Sequence, residues 1–268
     1  MPLIKINDID QHYEIAGQNH LNTPIIFIAG MGGAASYWSP QVSFFESKFK
    51  LLTYDQRGTG KTTRVQVESI DQLANDFISM LDRFNLKNVH IVGHSTGAAI
   101  GLIVASRYPE YAKSLVAYAG IHRADYYRER VWGLRKKVLQ EIGPEVYAQT
   151  TSLFFYEPEY INRNHHNLNK SEANVAKNEL ASAEIMASRI DAILKLDITN
   201  DLPKIKCPTL VICAEDDLLT PAYFSKEIAK LIPNSKLKLI DKGGHAFSRS
   251  HSDEFNSMIF NFIESCKS

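Results

Sequence analysis

The hydrophobic positions of the chain fall into short apolar runs separated by longer stretches with helical spacing. Six runs lie between turn-forming residues, at 25–29, 51–54, 89–92, 114–119, 209–214 and 237–240. Uninterrupted apolar runs of this length are typical of strands that are covered on both faces, as in a parallel sheet. Because helical patterns separate most of the runs, we predict an α/β protein with a mostly parallel central sheet flanked by helices.

Three helix-start signals support this alternation of strand and helix. They are Ser39-Pro40, Ser69 with Gln72, and Thr220-Pro221, each followed by apolar residues at helical spacing. Serine or threonine before proline predicts an N-cap followed by the first helical residue, and serine with glutamine three positions later predicts a capping box. Residues 3–16 predict an N-terminal hairpin that turns around Asn7 to Asp10.

The alternation breaks between about His122 and Asn200, where helical patterns follow one another without an intervening strand. This break predicts a helical insertion late in the sheet, in the position of a lid. We therefore assign residues 122–200 to the lid, and residues 1–121 with 201–268 to the core. Extra helices packed on a face of the sheet are the alternative interpretation.

Composition and charge narrow the classes of partner. The chain has 30 basic and 30 acidic residues, so no net field attracts nucleic acid or an anionic membrane surface. The N-terminus does not resemble a secretory leader, and no apolar stretch approaches the roughly 20 residues of a membrane span, which predicts a soluble, cytoplasmic protein. A small-molecule substrate is the expected partner, and a homodimer stays open.

No metal or cofactor is expected. The three cysteines, Cys207, Cys213 and Cys266, are widely spaced and form no C-x-x-C pair, which disfavours both a zinc site and a disulfide framework. The polar stretch 162–174 is expected to be a loop. Its His165-His166 pair lacks the i, i+4 partner of a helical metal site, so we do not expect it to bind metal.

Two glycine-rich segments resemble nucleotide-binding motifs, and both fail on spacing. Residues 30–35 fit G-x-G-x-x-A, and Asp55 follows the next strand, as in a dinucleotide fingerprint. That fingerprint needs a turn opening directly into a helix, whereas Ser39-Pro40 predicts a helix start several residues too late. Residues 58–62 end in Gly-Lys-Thr, but a P-loop requires a glycine where Asp55 stands. Nucleotide binding is therefore disfavoured.

A third glycine segment, Gly93-His94-Ser95-Thr96-Gly97, lies between an apolar strand and a helical pattern. A nucleophile elbow has this form, because it holds a serine in strained backbone geometry at the corner between a strand and a helix. The positions around the serine must be small, since the helix packs close to the strand. Ser95 is therefore the predicted nucleophile.

A nucleophilic serine needs a base and an acid that orients the base, in the chain order serine, acid, histidine. Asp217 follows the strand at 209–214, and His245 follows the strand at 237–240. Both positions fall beyond the carboxyl ends of strands, where open α/β sheets place their sites. The prediction is a triad of Ser95, Asp217 and His245, with Asp216 as the alternative acid.

The glycine loop at 30–33 has a use in such a site. In this arrangement one oxyanion-hole N–H belongs to the residue after the nucleophile, here Thr96, and a second belongs to a loop after an early strand. Met31 is the most suitable donor on that loop. The flanking glycines allow its backbone to turn inward without side-chain clashes.

These motifs together resemble a known family. AGMGGAASYW, YDQRGTG, GHSTGA, CAEDDLLTP and GGHAF resemble, in order and spacing, the α/β-hydrolase fold superfamily across nearly the whole chain. YDQRGTGKT, LFFYEPEYI and ICAEDDLLTP with GGHAF are similar to the RutD hydrolases of the uracil-degrading Rut pathway.

The resemblance implies hydrolysis of aminoacrylate or carbamate with release of ammonia, in pyrimidine catabolism. The elbow serine is not found in all members of that family, so a covalent mechanism does not follow from membership, and water attack assisted by His245 stays open. A carboxylesterase, an enol-lactonase and a non-catalytic binder of a small ligand are the alternatives. Arg123 or Arg130, at the start of the lid, would suit a substrate carboxylate, although a solvated helix face accounts for both.

Overall fold

The computed structural model describes residues 2–266 and has one eight-stranded sheet. Its strands are β1 (Leu3–Ile6), β2 (Ile9–Ala16), β3 (Ile25–Ile28), β4 (Leu51–Tyr54), β5 (Val89–His94), β6 (Ala112–Tyr118), β7 (Thr209–Ala214) and β8 (Ser235–Ile240). Their spatial order is β1-β2-β4-β3-β5-β6-β7-β8. The first two pairings in that order are antiparallel and the others are parallel, so the predicted mostly parallel sheet is confirmed.

Helices cover both faces of the sheet. They are α1 (Ser39–Phe45), α2 (Ile70–Arg83), α3 (Thr96–Arg107), α4 (Tyr126–Lys137), α5 (Pro144–Phe155), α6 (Pro158–Asn174), α7 (Ala183–Leu194), α8 (Ala222–Leu231), α9 (Phe247–Ser250) and α10 (Ser252–Ser265). Alternate strand residues such as Ile26 and Phe27 enter opposite apolar cores, one with α2, α3 and α8 and the other with α1 and α10. Within residues 2–266 no helix is long and apolar enough to cross a membrane.

Local signals predict the element boundaries with mixed success. The hairpin is confirmed, with Asn7 in the left-handed region at φ 50° between β1 and β2. The Ser69 side chain accepts the Gln72 N–H at 3.1 Å and caps α2. The N-caps predicted at Ser39 and Thr220 are wrong. Ser39 lies inside a helical segment that begins at Ala35. The N-cap of α8 is Pro221 rather than Thr220.

The predicted insertion lies between β6 and β7 and contains α4 to α7. Short π-helical turns at Val138–Ile142 and Val175–Glu179 extend two of these helices. The division into core and lid, with outer limits 1 and 268 beyond the described residues, stays a prediction.

The loop predicted at 162–174 is wrong, because α6 runs through it. The polar composition gives α6 an exposed face, while Leu168 is buried and Glu172 accepts a hydrogen bond from Ser152 of α5 at 2.5 Å. Tertiary packing on α5 therefore overrides the composition.

The two segments that imitate nucleotide motifs form one packed unit around Asp55. Its carboxylate accepts the Ala35 N–H at 2.7 Å and the Lys61 N–H at 2.8 Å. A Cβ at Gly60 would lie 2.2 Å from that carboxylate. The acid that would have bound a ribose therefore ties both glycine loops to the end of β4.

The corner between β5 and α3 is tightly packed. A Cβ placed on Gly97 would lie 2.2 Å from the carbonyl oxygen of Ile28, and one on Gly93 would lie 2.3 Å from the carbonyl oxygen of Gly97. These are backbone atoms of adjacent elements, which cannot yield as a flexible side chain does. The requirement for small residues around Ser95 is therefore confirmed.

We expect Gly97→Ala to destabilise the fold by about 3 kcal/mol or more, because the new methyl group overlaps main-chain oxygen of β3. Gly133→Ala in α4 is the matched control: apart from its chain neighbours and the backbone of its own helix, no atom of residues 2–266 lies within 4 Å of the added Cβ, and alanine is favoured over glycine in a helix interior by about 1 kcal/mol. Chemical denaturation of both variants measures the two changes. Equal effects of the two substitutions would contradict this account of the corner.

Candidate active site

Three of the predicted residues meet at the carboxyl edge of the sheet. Ser95 directly follows β5, Asp217 lies three residues beyond β7, and His245 lies in the loop after β8. All three are almost fully buried. Ser95 and His245 line the same cavity.

Ser95 has the strained backbone that its position predicts. Its φ of 53° and ψ of −113° are uncommon for a residue with a side chain, and such conformations cost of order 1–3 kcal/mol. The corner holds it by close packing and by a hydrogen bond from the Ser95 N–H to the Tyr118 carbonyl at 2.9 Å. Among the described residues its hydroxyl has no hydrogen-bond partner, so the oxygen is free for a ligand.

Asp217 is the acid that contacts the histidine. His245 Nδ1 lies 2.8 Å from Asp217 Oδ2, and the other carboxylate oxygen accepts the N–H groups of Leu219 at 2.8 Å and Thr220 at 2.9 Å. This set of donors fixes the carboxylate and, through it, the imidazole. Asp216 instead accepts the N–H groups of Gly243 and Gly244, so it shapes the loop before His245.

Thr220 belongs to this cluster, although sequence patterns suggested a helix cap. Its hydroxyl lies 2.8 Å from Asp217 Oδ2, 3.2 Å from His245 Nδ1 and 3.0 Å from the carbonyl of Ala119. The side chain therefore turns toward the acid and base rather than toward α8.

His94, which no sequence pattern indicated as a site residue, forms a hydrogen bond with the backbone of His245. Its Nε2 donates to the His245 carbonyl at 3.0 Å, and the Tyr118 hydroxyl donates to the same oxygen at 2.7 Å. The His94 ring stacks between Tyr37 and Tyr118, with centroid distances of 4.6 and 4.7 Å. The only signal for it was its place before Ser95 in the elbow.

Burial holds the pKa of His94 well below its usual 6.5, with a further contribution from His245. A carbonyl only accepts hydrogen bonds, so the single ring proton of the neutral form lies on Nε2. Nδ1 then has no hydrogen-bond partner among residues 2–266. His94 is a neutral donor at physiological pH and adds no positive charge beside His245.

Of the two predicted oxyanion donors, Met31 lines the same cavity as Ser95, whereas Thr96 is not among the lining residues. Thr96 is the first residue of α3, so its N–H has no acceptor within the helix. The loop that carries Met31 lies close to the serine: a Cβ added at Gly30 would be 3.3 Å from Ser95 Cβ. That Met31 and Thr96 stabilise an oxyanion stays a prediction.

A buried arginine of the insertion holds the Met31 loop. Arg189 of α7 donates Nε to the Met31 carbonyl at 2.9 Å and Nη2 to Gln56 Oε1 at 2.6 Å. Gln56 in turn donates to the Ala29 carbonyl at 2.6 Å. The conformation of the loop therefore depends on a residue of the insertion, which local sequence did not indicate.

The cavity has a volume of about 270 Å³ and lies between the strand ends and the insertion. Phe155 of α5 covers His245, with a ring-to-ring distance of 5.4 Å, and its carbonyl accepts the Ala246 N–H at 2.9 Å. Neither arginine suggested for a substrate carboxylate lines the cavity: Arg123 pairs with Glu227 at 2.8 Å, and Arg130 is exposed.

We expect the stability of the protein to fall as pH drops below about 6.5, partly through His94. In the unfolded chain this imidazole takes up a proton near its ordinary pKa, whereas in the folded state it stays neutral to lower pH, so acid favours unfolding by up to about 1.4 kcal/mol per pH unit. Urea denaturation of the parent and His94→Gln between pH 7 and 5 should show a shallower slope for the variant.

His165→Gln, which removes an exposed histidine, is the matched control for that experiment and should keep the parental slope. Equal slopes for the parent and His94→Gln would show that His94 does not stay neutral in the folded state.

Comparison with known proteins agrees with this architecture. A family model described as the alpha/beta hydrolase fold matches residues 23–249. A protein of Azorhizobium caulinodans named "Putative carbamate hydrolase RutD" is 36% identical over 263 residues, which are 98% of this chain and 98% of that protein. A protein of the same name from Stutzerimonas stutzeri is 33% identical over 259 residues, covering 95% of this chain and 97% of its own.

Solved structures share the fold. The enol-lactonase from Burkholderia xenovorans LB400 matches with a TM-score of 0.90 and 24% identity, covering 98% of this chain and 100% of that one. The α/β hydrolase MGS-M2, from a deep-sea metagenome library, matches with a TM-score of 0.91 and 23% identity, over 98% and 97% of the two chains. Fold topology, motif order and full-length relatives agree, and the chain belongs to the α/β-hydrolase fold family.

Proposed function

We propose that this α/β hydrolase is a serine hydrolase with Ser95 as nucleophile, His245 as base and Asp217 as the orienting acid. The observation on which this rests is that His245, held by Asp217 at 2.8 Å, lines the same cavity as Ser95. A nucleophile and a base that line one pocket, with an acid that orients the base, are what acyl transfer requires.

In the proposed reaction Ser95 Oγ attacks the acyl carbon while His245 Nε2 takes its proton. His245 then returns that proton to the leaving group as the acyl bond breaks. Water, deprotonated by the same nitrogen, releases the acyl group and restores the serine. Asp217 keeps the Nδ1 proton facing the carboxylate and stabilises the imidazolium that forms in each half-reaction.

The N–H groups of Met31 and Thr96 are proposed to receive the negative charge that develops on the acyl oxygen. Loss of one such donor costs about 3–4 kcal/mol of barrier in serine hydrolases. Arg189 acts here as a positioning residue, because it holds the Met31 carbonyl from the side away from the cavity.

The proposed substrate is aminoacrylate or carbamate, in pyrimidine degradation, on the basis of full-length relatives that bear the carbamate hydrolase name. Hydrolysis of either compound releases ammonia. For the imine tautomer of aminoacrylate, water activated by His245 adds to the imine carbon, and no attack by Ser95 is needed.

A carboxylesterase or an enol-lactonase is the second candidate, and the size of the cavity favours it. At about 270 Å³ the cavity approaches the roughly 300 Å³ lower limit of typical small-molecule sites. Carbamate has only four heavy atoms and leaves most of that volume empty. A short ester or lactone fills it better.

We expect Ser95→Ala to abolish turnover of p-nitrophenyl acetate and Asp217→Asn to lower kcat by about 10⁴, because the amide favours the wrong imidazole tautomer. Asp216→Asn is the matched control and should lose far less, since Asp216 contacts only backbone N–H groups of the neighbouring loop. Initial rates measure all three variants.

Labelling by a fluorophosphonate, lost in Ser95→Ala, separates a serine hydrolase from a non-catalytic binder of the same fold. Parental turnover by Ser95→Ala, or equal losses in Asp216→Asn and Asp217→Asn, would contradict the triad.

Product analysis by mass spectrometry should identify the substrate class among freshly generated aminoacrylate, carbamate, short esters and lactones. The pathway proposal predicts ammonia release from aminoacrylate or carbamate well above the rate without protein. Retention of that activity in Ser95→Ala would assign it to water attack assisted by His245. Turnover of esters or lactones alone would favour the second candidate.

A further inference from the structure

A second buried arginine of the lid, unlike Arg189, lines the cavity and has guanidinium nitrogens without a hydrogen-bond partner among the described residues. Arg135 of α4 lines the cavity and is only 3% exposed. One nitrogen, Nη2, donates to Thr151 Oγ1 at 2.8 Å. Among residues 2–266 the other two, Nε and Nη1, have no hydrogen-bond partner. Buried donors without acceptors are costly and call for an explanation.

The surroundings of this guanidinium are aromatic. Its central carbon lies 4.5 Å from the ring centroid of Tyr147, 5.2 Å from that of Trp132 and 5.3 Å from that of Phe154. The faces of these rings attract the cation. They accept none of the directed hydrogen bonds that Nε and Nη1 offer.

Carboxylates of the cavity do not complete the bonding either. Glu172 accepts from Ser152 Oγ at 2.5 Å, and Glu179 accepts from Asn174 Nδ2 at 2.7 Å. Within the described part of the chain neither forms an ion pair with Arg135 inside 4 Å. Glu172 and Glu179 therefore leave Nε and Nη1 of Arg135 without an acceptor.

Two other buried arginines of the lid show what is particular to Arg135. Arg189 has all three guanidinium nitrogens bonded to protein oxygen, which is the pattern of a structural residue. Arg128 also has two unpartnered nitrogens, but it does not line the cavity, and its remaining one donates to the Leu219 carbonyl. Of the three, Arg135 alone both lines the cavity and has guanidinium nitrogens without a hydrogen-bond partner among the described residues.

We propose that Arg135 binds a carboxylate of the substrate. A planar guanidinium with free donors matches a carboxylate in shape and charge, and the apolar surroundings strengthen the interaction. Neighbouring side chains enclose Nε and Nη1 in the structure, so the proposed binding includes a rotation of the guanidinium that breaks its bond to Thr151 and turns these donors toward the cavity. The substrate is then a small carboxylic acid whose ester, lactone or imine group lies at Ser95 and His245.

This inference rests on the proposed function and narrows it. Bare carbamate has one anionic group, which is also the group to be hydrolysed, so it leaves Arg135 without a partner. Aminoacrylate keeps a carboxylate beside its hydrolysable imine. Among esters and lactones, those with a free carboxylate are favoured over neutral ones of the same length.

The test compares monomethyl succinate with methyl butyrate, which differ by a carboxylate in place of a methyl group. We expect the parent to prefer the anionic ester by at least about tenfold in kcat/KM, since a site built to bind a polar group rejects an analogue that lacks it. Arg135→Gln should bring the ratio to about one, mainly through a higher KM for monomethyl succinate. Arg135→Lys should restore part of the preference.

Arg130→Gln is the matched control, because Arg130 lies on the same helix and is exposed; both esters should behave as with the parent. A merely structural role for Arg135 would lower the two rates together and leave their ratio unchanged, which would overturn the proposal. Loss of the preference in Arg249→Gln instead would also overturn it, since Arg249 is the other arginine that lines the cavity.

A binding measurement separates failure of this inference from failure of the proposed function. Trp132 lies against Arg135, so its fluorescence should change when succinate binds to the parent and not when succinate is added to Arg135→Gln. If the parent hydrolyses neither ester and takes no fluorophosphonate label, but succinate binds through Arg135, the serine hydrolase proposal fails and this one stands. If the parent hydrolyses methyl butyrate at least as well as monomethyl succinate and binds no succinate, this one fails alone.

Discussion

The placement of His245 is the constraint on which the rest of the site depends. Asp217 holds the imidazole from one side, His94 and Tyr118 hold the backbone carbonyl of the same residue, and Phe155 covers the ring. These contacts come from four different segments of the chain. These contacts hold a loop residue after β8 in one position, which the proposed role as general base requires because small errors in position cost rate.

The helices between β6 and β7 hold residues of the site in position as well as cover the cavity. Arg189 bonds the Met31 carbonyl, and the Phe155 carbonyl accepts the N–H of Ala246, next to His245. The predicted oxyanion loop and the predicted base therefore both contact helices between β6 and β7.

Short patterns predicted the scaffold well. The strands at 89–92 and 209–214 are predicted correctly because burial on both faces leaves an uninterrupted apolar run. The corner at Ser95 is predicted correctly because the adjacent backbones require glycine at positions 93 and 97. The loop predicted at 162–174 is wrong, because the segment is helical and the local composition does not show that Leu168 packs into the protein.

The sequence by itself determined the strand and helix order, the elbow and the set of candidate acids and bases, since each depends on spacing within a few residues. Only the tertiary structure shows that Asp217 rather than Asp216 contacts His245. It places the Thr220 side chain beside Asp217 instead of at a helix cap, and His94 against the His245 carbonyl. It also left Arg123 and Arg130 outside the cavity and placed Arg135 inside. These outcomes depend on contacts between residues far apart in the chain, whose distances no local pattern encodes.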